Sequence, residues 1–101
     1  MINAYFKRNN GVIEEIKISG HAKYDDYGKD IVCAGVSASL ITTVNAILSF
    51  DKNAIEYNDG NNFELKNIKQ DNVTNILLDN LHRTLKEIEN TYKNNIKVKE
   101  D

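Results

Sequence analysis

The chain has 101 residues, enough for one domain with its own core and too few for two. Thirteen Lys and Arg stand against 15 Asp and Glu, a net charge of −2, so we expect no direct nucleic-acid binding. One cysteine excludes an internal disulfide framework, and no Cys-x-x-Cys or His-x-x-x-His spacing indicates a metal site. We therefore expect residues 1–101 to form a single domain without cofactor or metal.

Two features bear on location. Met1 leads directly into an alternating strand pattern, so we expect no signal peptide and a cytoplasmic protein. Residues 31–50 carry no charge and are long enough to cross a bilayer, which takes about 20 residues. Ser, Thr and Asn interrupt that apolar run repeatedly, which favours a buried core helix over a membrane span.

The strand signals come in two hairpins. Residues 2–8 and 12–19 alternate apolar and polar side chains around the turn Asn9-Asn10-Gly11. Residues 53–58 and 62–68 do the same around a turn at 58–61. Ile96 and Val98 alternate with lysines, which predicts a short final strand.

Each hairpin is followed by a helical pattern. The first helix, 31–50, has one apolar stripe and, opposite it, a stripe of small residues that would let a second helix or a second subunit approach closely. The second helix begins after Asp71 or Asn72 as N-cap, ends near Tyr92, and carries His82 toward its solvated face. The apolar stripe of the first helix comprises Val32, Val36, Leu40, Thr43, Val44 and Ile47, and its small-residue stripe comprises Gly35, Ser39, Thr42, Ala46 and Ser49. The apolar stripe of the second helix comprises Val73, Ile76, Leu77, Leu81, Thr84, Leu85, Ile88 and Tyr92.

The order ββαββα, with a possible last strand, predicts an α+β fold. Two helices would pack on one face of a mainly antiparallel sheet, giving two layers.

The stretch 20–37 holds the candidate chemistry. Asp30 precedes the predicted helix, where a carboxylate accepts from free N–H groups, so Cys33 would be the third helical residue. The positive helix N-terminus favours the thiolate, the nucleophilic form. The first-turn N–H groups, that of Cys33 included, would be oxyanion donors. Without further information, a lone cysteine in an apolar run is more often a small buried hydrophobe than a nucleophile.

Supporting positions surround the cysteine. Ser37 lies one turn later on the same face, where its hydroxyl would reach the sulfur or its small size would suit a tight contact. Asp30 would either cap the helix or orient His21; the sequence is consistent with both. Residues 22–30 read as a long solvated loop with Gly28 as a flexible joint.

The motif resembles a known family. Gly20-His21-Ala22 followed by 28–37, Gly-Lys-Asp-Ile-Val-Cys-Ala-Gly-Val-Ser, is similar to the signature of the ribosomal-processing cysteine proteases, the Prp family. The resemblance implies that Cys33 is the nucleophile and His21 the acid/base, with Gly20, Gly28, Asp30 and Ser37 in support.

The resemblance also implies a substrate. Members of the family trim the N-terminal extension of large-subunit ribosomal protein twenty-seven before ribosome assembly in bacteria. The resemblance implies that the chain is a homodimer, as members of the family are. A basic tail with an aromatic pair would suit a loop carrying Tyr24, Asp25, Asp26 and Tyr27. The alternatives are a non-enzymatic ribosome-associated module and a redox-responsive thiol protein.

Overall fold

The fold is a five-stranded sheet with two helices. The computed structural model describes residues 1–20 and 27–101, and of residues 27–30 the backbone alone. The elements are β1 (Ile2–Asn9), β2 (Val12–Ser19), α1 (Tyr27–Phe50), β3 (Ile55–Asp59), β4 (Phe63–Asn67), α2 (Asn72–Thr91) and β5 (Ile96–Glu100). The strand order is β3-β4-β2-β1-β5. The predicted α+β class is confirmed, including the final strand.

Strand pairing follows the two hairpins. β1 pairs with β2, β2 with β4 and β3 with β4, all antiparallel. Among the described strands, β5 alone is parallel to its neighbour, β1, with Ile2 opposite Ile96, because the chain reaches it through α2. The sheet is therefore mainly antiparallel, as predicted.

One face of the sheet forms the core with both helices. Alternate residues of each strand are buried on that face, and the predicted apolar stripe of α1 is buried along its whole length. Each fully buried aliphatic or aromatic side chain stabilises the fold by roughly 1.5–3 kcal/mol. The buried set includes Ile2, Ala4, Phe6, Ile16, Ile18, Phe63 and Leu65 from strands, Val32, Val36, Leu40, Val44 and Ile47 from α1, and Leu78, Leu81 and Leu85 from α2.

The other face of the sheet carries alternating charges. Lys7 lies opposite Glu15, Glu15 opposite Lys66, and Lys66 opposite Glu56, so one row of opposite charges crosses four strands. Opposite charges in facing positions stabilise cross-strand pairs modestly. This face is polar because side chains alternate between the two faces along each strand. Both helices pack on the opposite, apolar face.

Two predictions about α2 are wrong. Ile76, predicted in the apolar stripe, is 55% exposed, whereas Thr74 and Leu78 are fully buried. The rest of the predicted stripe is confirmed in part, with Leu81 and Leu85 buried and Leu77, Ile88 and Tyr92 packed against the core. Asp71, one of the two predicted N-caps, accepts from both the N–H and the hydroxyl of the buried Thr74. His82 was predicted on the solvated face, but it is half-buried and its ring packs edge-on against Phe6 at 4.8 Å.

α1 begins earlier than predicted, at Tyr27 instead of residue 31. Its stretch Ile31–Phe50 is long and apolar enough to cross a membrane by length and composition. The α1 stripe that packs on the sheet nevertheless lies in the core, as expected for a core helix.

Candidate active site

Cys33 lies in the second turn of α1. It is half-buried, flanked by the buried Val32 and Val36, and packs against the hydrophobic core. The helix therefore fixes the backbone of Cys33 on a rigid element, while part of the residue remains accessible to solvent.

The early start of α1 corrects the predicted role of Asp30. Because the helix begins at Tyr27, Asp30 lies within its first turn and not at the N-cap, so the capping interpretation is wrong. Cys33 is the seventh helical residue and not the third. The field of the helix dipole falls off within the first turn, and only the first four N–H groups lack helical acceptors. The helix terminus thus contributes less to a Cys33 thiolate than predicted, and the Cys33 amide is not a free oxyanion donor.

Gly20 determines where the chain leaves β2. Its φ is +81°, a left-handed conformation that side chains rarely adopt, and an added Cβ would overlap the backbone carbonyl oxygen of Met1. A glycine is therefore required here both by the backbone angle and by the close approach of Met1, the residue directly before β1. The residue that follows is His21, so this constraint sets the starting point of the segment that carries it.

The predicted histidine and loop residues fall outside the description. His21, Tyr24, Asp25 and Asp26 lie outside the described residues, as do the side chains of Tyr27, Lys29 and Asp30, and of Gly28 only the backbone is described. The backbone of 27–30 is helical, so the prediction of a loop throughout 22–30 is wrong for its last four residues.

Ser37 is half-buried, one turn beyond Cys33 on the same side of α1. The hydroxyls of Ser39 and Thr43 donate to the carbonyls four residues earlier, at 2.8 Å each. These local bonds satisfy hydroxyl groups within a core helix, which explains how α1 tolerates so many polar residues.

The small-residue stripe of α1 meets α2 in its first half. A Cβ on Gly35 would lie 3.6 Å from the Ile88 methyl group Cδ1, which is ordinary van der Waals contact. Thr42, Ala46 and Ser49, farther along the stripe, are exposed. The second helix is therefore the partner of the N-terminal part of the stripe.

The second histidine lies at the opposite end of the sheet. His82 contacts Phe6 and lies 3.6 Å from Glu100, near Arg8, whereas Gly20 lies at the Met1 end of β1. Burial lowers the pKa of His82, and the neighbouring positive charge of Arg8 lowers it further. Four residues of extended strand separate the two ends, about 13 Å. His82 therefore lies away from Gly20, the residue that directly precedes the other histidine, His21.

A metal centre finds no support in the described part of the chain. Among those residues, no three His, Cys, Asp or Glu side chains lie together as metal ligands would.

The contact between Gly20 and Met1 was not predicted from the sequence. A glycine at the end of a strand does not indicate which other part of the backbone lies next to it.

Comparison with known proteins identifies the family. The profile described as cysteine protease Prp matches residues 1–97. The ribosomal processing cysteine protease Prp of Staphylococcus aureus strain Mu50 is 35% identical over 94 residues, 89% of each chain. That of Bacillus subtilis strain 168 is 30% identical over 108 residues, 97% of this chain and 96% of that one.

Solved structures agree with the sequence relatives. The essential ribosomal processing protease Prp from S. aureus in complex with a substrate peptide has a TM-score of 0.91 at 29% identity over 100% of both chains. The same protease with a covalently linked product peptide has a TM-score of 0.88 at 32% identity, again over 100% of both chains. With the fold, the half-buried Cys33 and these likenesses together, the chain belongs to the cysteine protease Prp family and is a cysteine-type peptidase.

Proposed function

We propose that the chain is an endopeptidase that removes the N-terminal extension of large-subunit ribosomal protein twenty-seven in the bacterial cytoplasm, before the protein assembles into the ribosome. The observation that carries this proposal is the likeness, over 100% of the chain and at a TM-score of 0.91, to a ribosomal processing protease bound to a substrate peptide. Membership of a peptidase family sets aside the alternative of a non-enzymatic thiol module.

The proposed reaction uses Cys33 and His21 as a dyad. The Cys33 thiolate attacks the scissile carbonyl carbon, a C–S bond forms, and the tetrahedral oxyanion collapses with cleavage of the C–N bond. The His21 imidazolium gives its proton to the leaving amine. Water, deprotonated by the now neutral imidazole, then attacks the thioester and releases the acid and the thiolate. A relative bound covalently to its product peptide supports such a covalent step.

His21 has the larger share in keeping Cys33 ionised under this proposal. Cys33 lies in the second turn of α1, beyond the strongest field of the helix terminus. An imidazolium within a few ångströms favours a thiolate strongly. Asp30, which is not the N-cap, would then act on His21, the second of its two predicted roles.

Substrate selection is proposed to rest on the connection between β2 and α1. Tyr24 and Tyr27 would cover aromatic side chains of the substrate, and Asp25 and Asp26 would face its basic ones, closing over the right peptide only. The net charge of −2 suits a basic tail. We also propose a homodimer, for which the exposed second half of the small-residue stripe, Thr42 to Ser49, is a candidate surface.

The deciding experiment is incubation with the full-length precursor of the ribosomal protein, followed by mass spectrometry of the products. We expect one cut that releases an N-terminal peptide, absent with Cys33→Ser. Iodoacetamide labelling separates the alternatives. A redox thiol reacts without His21, a buried inert thiol resists labelling, and a peptidase loses both turnover and fast labelling with His21→Ala. An intact precursor after prolonged incubation with folded wild-type protein would refute the proposed substrate.

A further inference from the structure

A groove lies between α1 and the hairpin of β3 and β4. Its floor is formed by the buried Leu40 and Val44 of α1 and Phe63 of β4. Its volume is about 140 Å³. An apolar protein cavity of about 150 Å³ accepts a benzene molecule, so the groove has room for one large apolar side chain.

Two large apolar side chains flank the groove and remain exposed. Ile41 of α1 is 58% exposed and Tyr57 of β3 is 49% exposed. Tyr57 belongs to the helix-facing side of the sheet, because it pairs with the buried Leu65. β3 is an edge strand of the described sheet, so its helix-facing side is only partly covered. These side chains form an open apolar site at the edge of the core.

The groove shares a helix face with the nucleophile. Cys33, Ser37 and Ile41 follow one another at intervals of four residues, which places them along one side of α1. The groove residues of α1 lie seven to twelve positions beyond Cys33, a distance of about 11–18 Å along the helix axis. An extended peptide advances about 3.3–3.6 Å per residue, so three to five residues bridge this distance.

The rim of the groove is acidic. Asp59 lines it from the end of β3 and takes part in none of the ion pairs among the described residues. An apolar floor with a carboxylate at its rim is complementary to a peptide in which an apolar side chain is next to a basic one. A small molecule is a poorer fit, since ligand pockets usually measure about 300–1,000 Å³.

We propose that this groove is a specificity subsite. It takes one apolar side chain of the peptide substrate, three to five residues from the scissile bond, with Asp59 binding a neighbouring cation. Ile41 and Tyr57 are positioning residues that act on substrate placement and not on the reacting atoms. This inference rests on the proposed peptidase function and adds a second, remote point of recognition to it.

Ile41→Asp tests the subsite, with Ile76→Asp as a matched control because Ile76 is 55% exposed on the other helix. The substrate is a synthetic peptide spanning the cleavage site of the precursor. We expect Ile41→Asp to lower kcat/KM about tenfold or more, in the range of a lost apolar contact, and Ile76→Asp to leave it within twofold. Iodoacetamide should label Cys33 at the wild-type rate in both variants. Equal kcat/KM in the two variants would overturn the proposal.

An alanine scan of the peptide identifies the occupant. Alanine at one position, three to five residues from the cut, should lower kcat/KM for the wild type and have no further effect with Ile41→Asp. Losses that multiply at every position would exclude the groove as the binding site. If Ile41→Asp instead dissociates a dimer in sedimentation analysis while the scan losses multiply, the occupant is a second copy and the proposal is wrong.

Asp59→Asn tests the charged rim, with Glu64→Gln on the open sheet face as control. Only Asp59→Asn should lower kcat/KM and flatten its dependence on salt. Calorimetric binding of the same peptide to Cys33→Ser distinguishes the two levels of inference. Binding that weakens with Ile41→Asp but no turnover by the wild type would refute the proposed function alone, and unchanged binding would refute the subsite.

Discussion

The chain contains two ββα units, and the connection from strand to helix differs between them. In the second unit, residues 68–71 join β4 to α2. Buried Asn67 donates to the carbonyl of Ile13 at 2.9 Å and to Asn75 at 3.0 Å, and accepts from the N–H of Gln70 at 3.0 Å. Asp71 then caps α2. This connection holds its helix with hydrogen bonds at almost every residue.

In the first unit, the same position in the chain holds the proposed catalytic histidine. Residues 20–26 join β2 to α1 and include His21, six positions before the helix that carries Cys33. Gly20 has a positive φ, as does Gln70 in the second unit. A residue in the left-handed conformation therefore follows both β2 and β4. The comparison teaches that the same supersecondary unit is built with a hydrogen-bonded connection in one copy, whereas in the other the connection carries the proposed acid/base, His21.

His21→Ala should produce the largest effect and separate the two connections functionally. We expect the rate of precursor cleavage to fall about a thousandfold or more, since the proposed acid/base is lost, while the free energy of unfolding changes little. Cleavage of the precursor and urea unfolding measure the two quantities. His82→Gln is the matched control, because it changes the other histidine. Comparable cleavage losses in the two variants would contradict the assignment of His21.

Gly20→Ala should damage both stability and cleavage. It combines an unfavourable φ with overlap on the Met1 carbonyl, and we expect a loss of about 3 kcal/mol in unfolding free energy. Gly11→Ala is the control, since Gly11 has the same φ of +81° but no atoms within 4 Å of an added Cβ. It should cost only about 1–2 kcal/mol. Equal losses would show that the Met1 contact is unimportant.

Asn67→Ala should have the converse effect of His21→Ala. It removes the partner of three hydrogen bonds at a buried position, which we expect to cost about 2–3 kcal/mol of stability while cleavage by the remaining folded enzyme is unchanged. Asn90→Ala, at an exposed position of α2, controls for the substitution itself. A fall in kcat/KM at temperatures where the variant is fully folded would show that the two connections are coupled.

Periodicity predicted the elements of the fold because each has a regular alternation. The α1 stripe from Val32 to Ile47 was confirmed. In α2, Leu81 and Leu85 are buried as predicted, whereas Ile76 is exposed and Thr74 and Leu78 are buried without having been predicted. The start of α1 was wrong because Asp30 has the chemistry of a cap without occupying that position.

The candidate site was less predictable than the fold. The motif indicated His21 and Cys33 as a pair, and their roles remain predictions. The groove gave no motif, because its residues come from α1 and from two strands that the pairing register alone brings together. Contacts between distant segments depend on register and helix packing, which a single sequence does not specify.

Asp71→Asn should have the smallest effect at neutral pH and a clear one in acid. The N–H of Thr74 donates to the Asp71 carboxylate and holds its pKa below the ordinary value of 3.8. The unfolded chain therefore takes up this proton first, so the stability from Asp71 is present above about pH 4 and is lost as the pH falls through the folded pKa. Asparagine caps about as well as aspartate but does not titrate in this range.

Urea unfolding between about pH 7 and pH 2.5 checks this expectation. Stability of Asp71→Asn should match the wild type at pH 7 and fall less steeply below pH 4. Some slope remains, because hydrogen bonds also lower the pKa of Asp51 and Glu89. Asp71→Ala, which removes the cap at every pH, should be less stable throughout. Parallel curves for Asp71→Asn and the wild type would mean that the charge of the cap does not contribute to the stability of the fold.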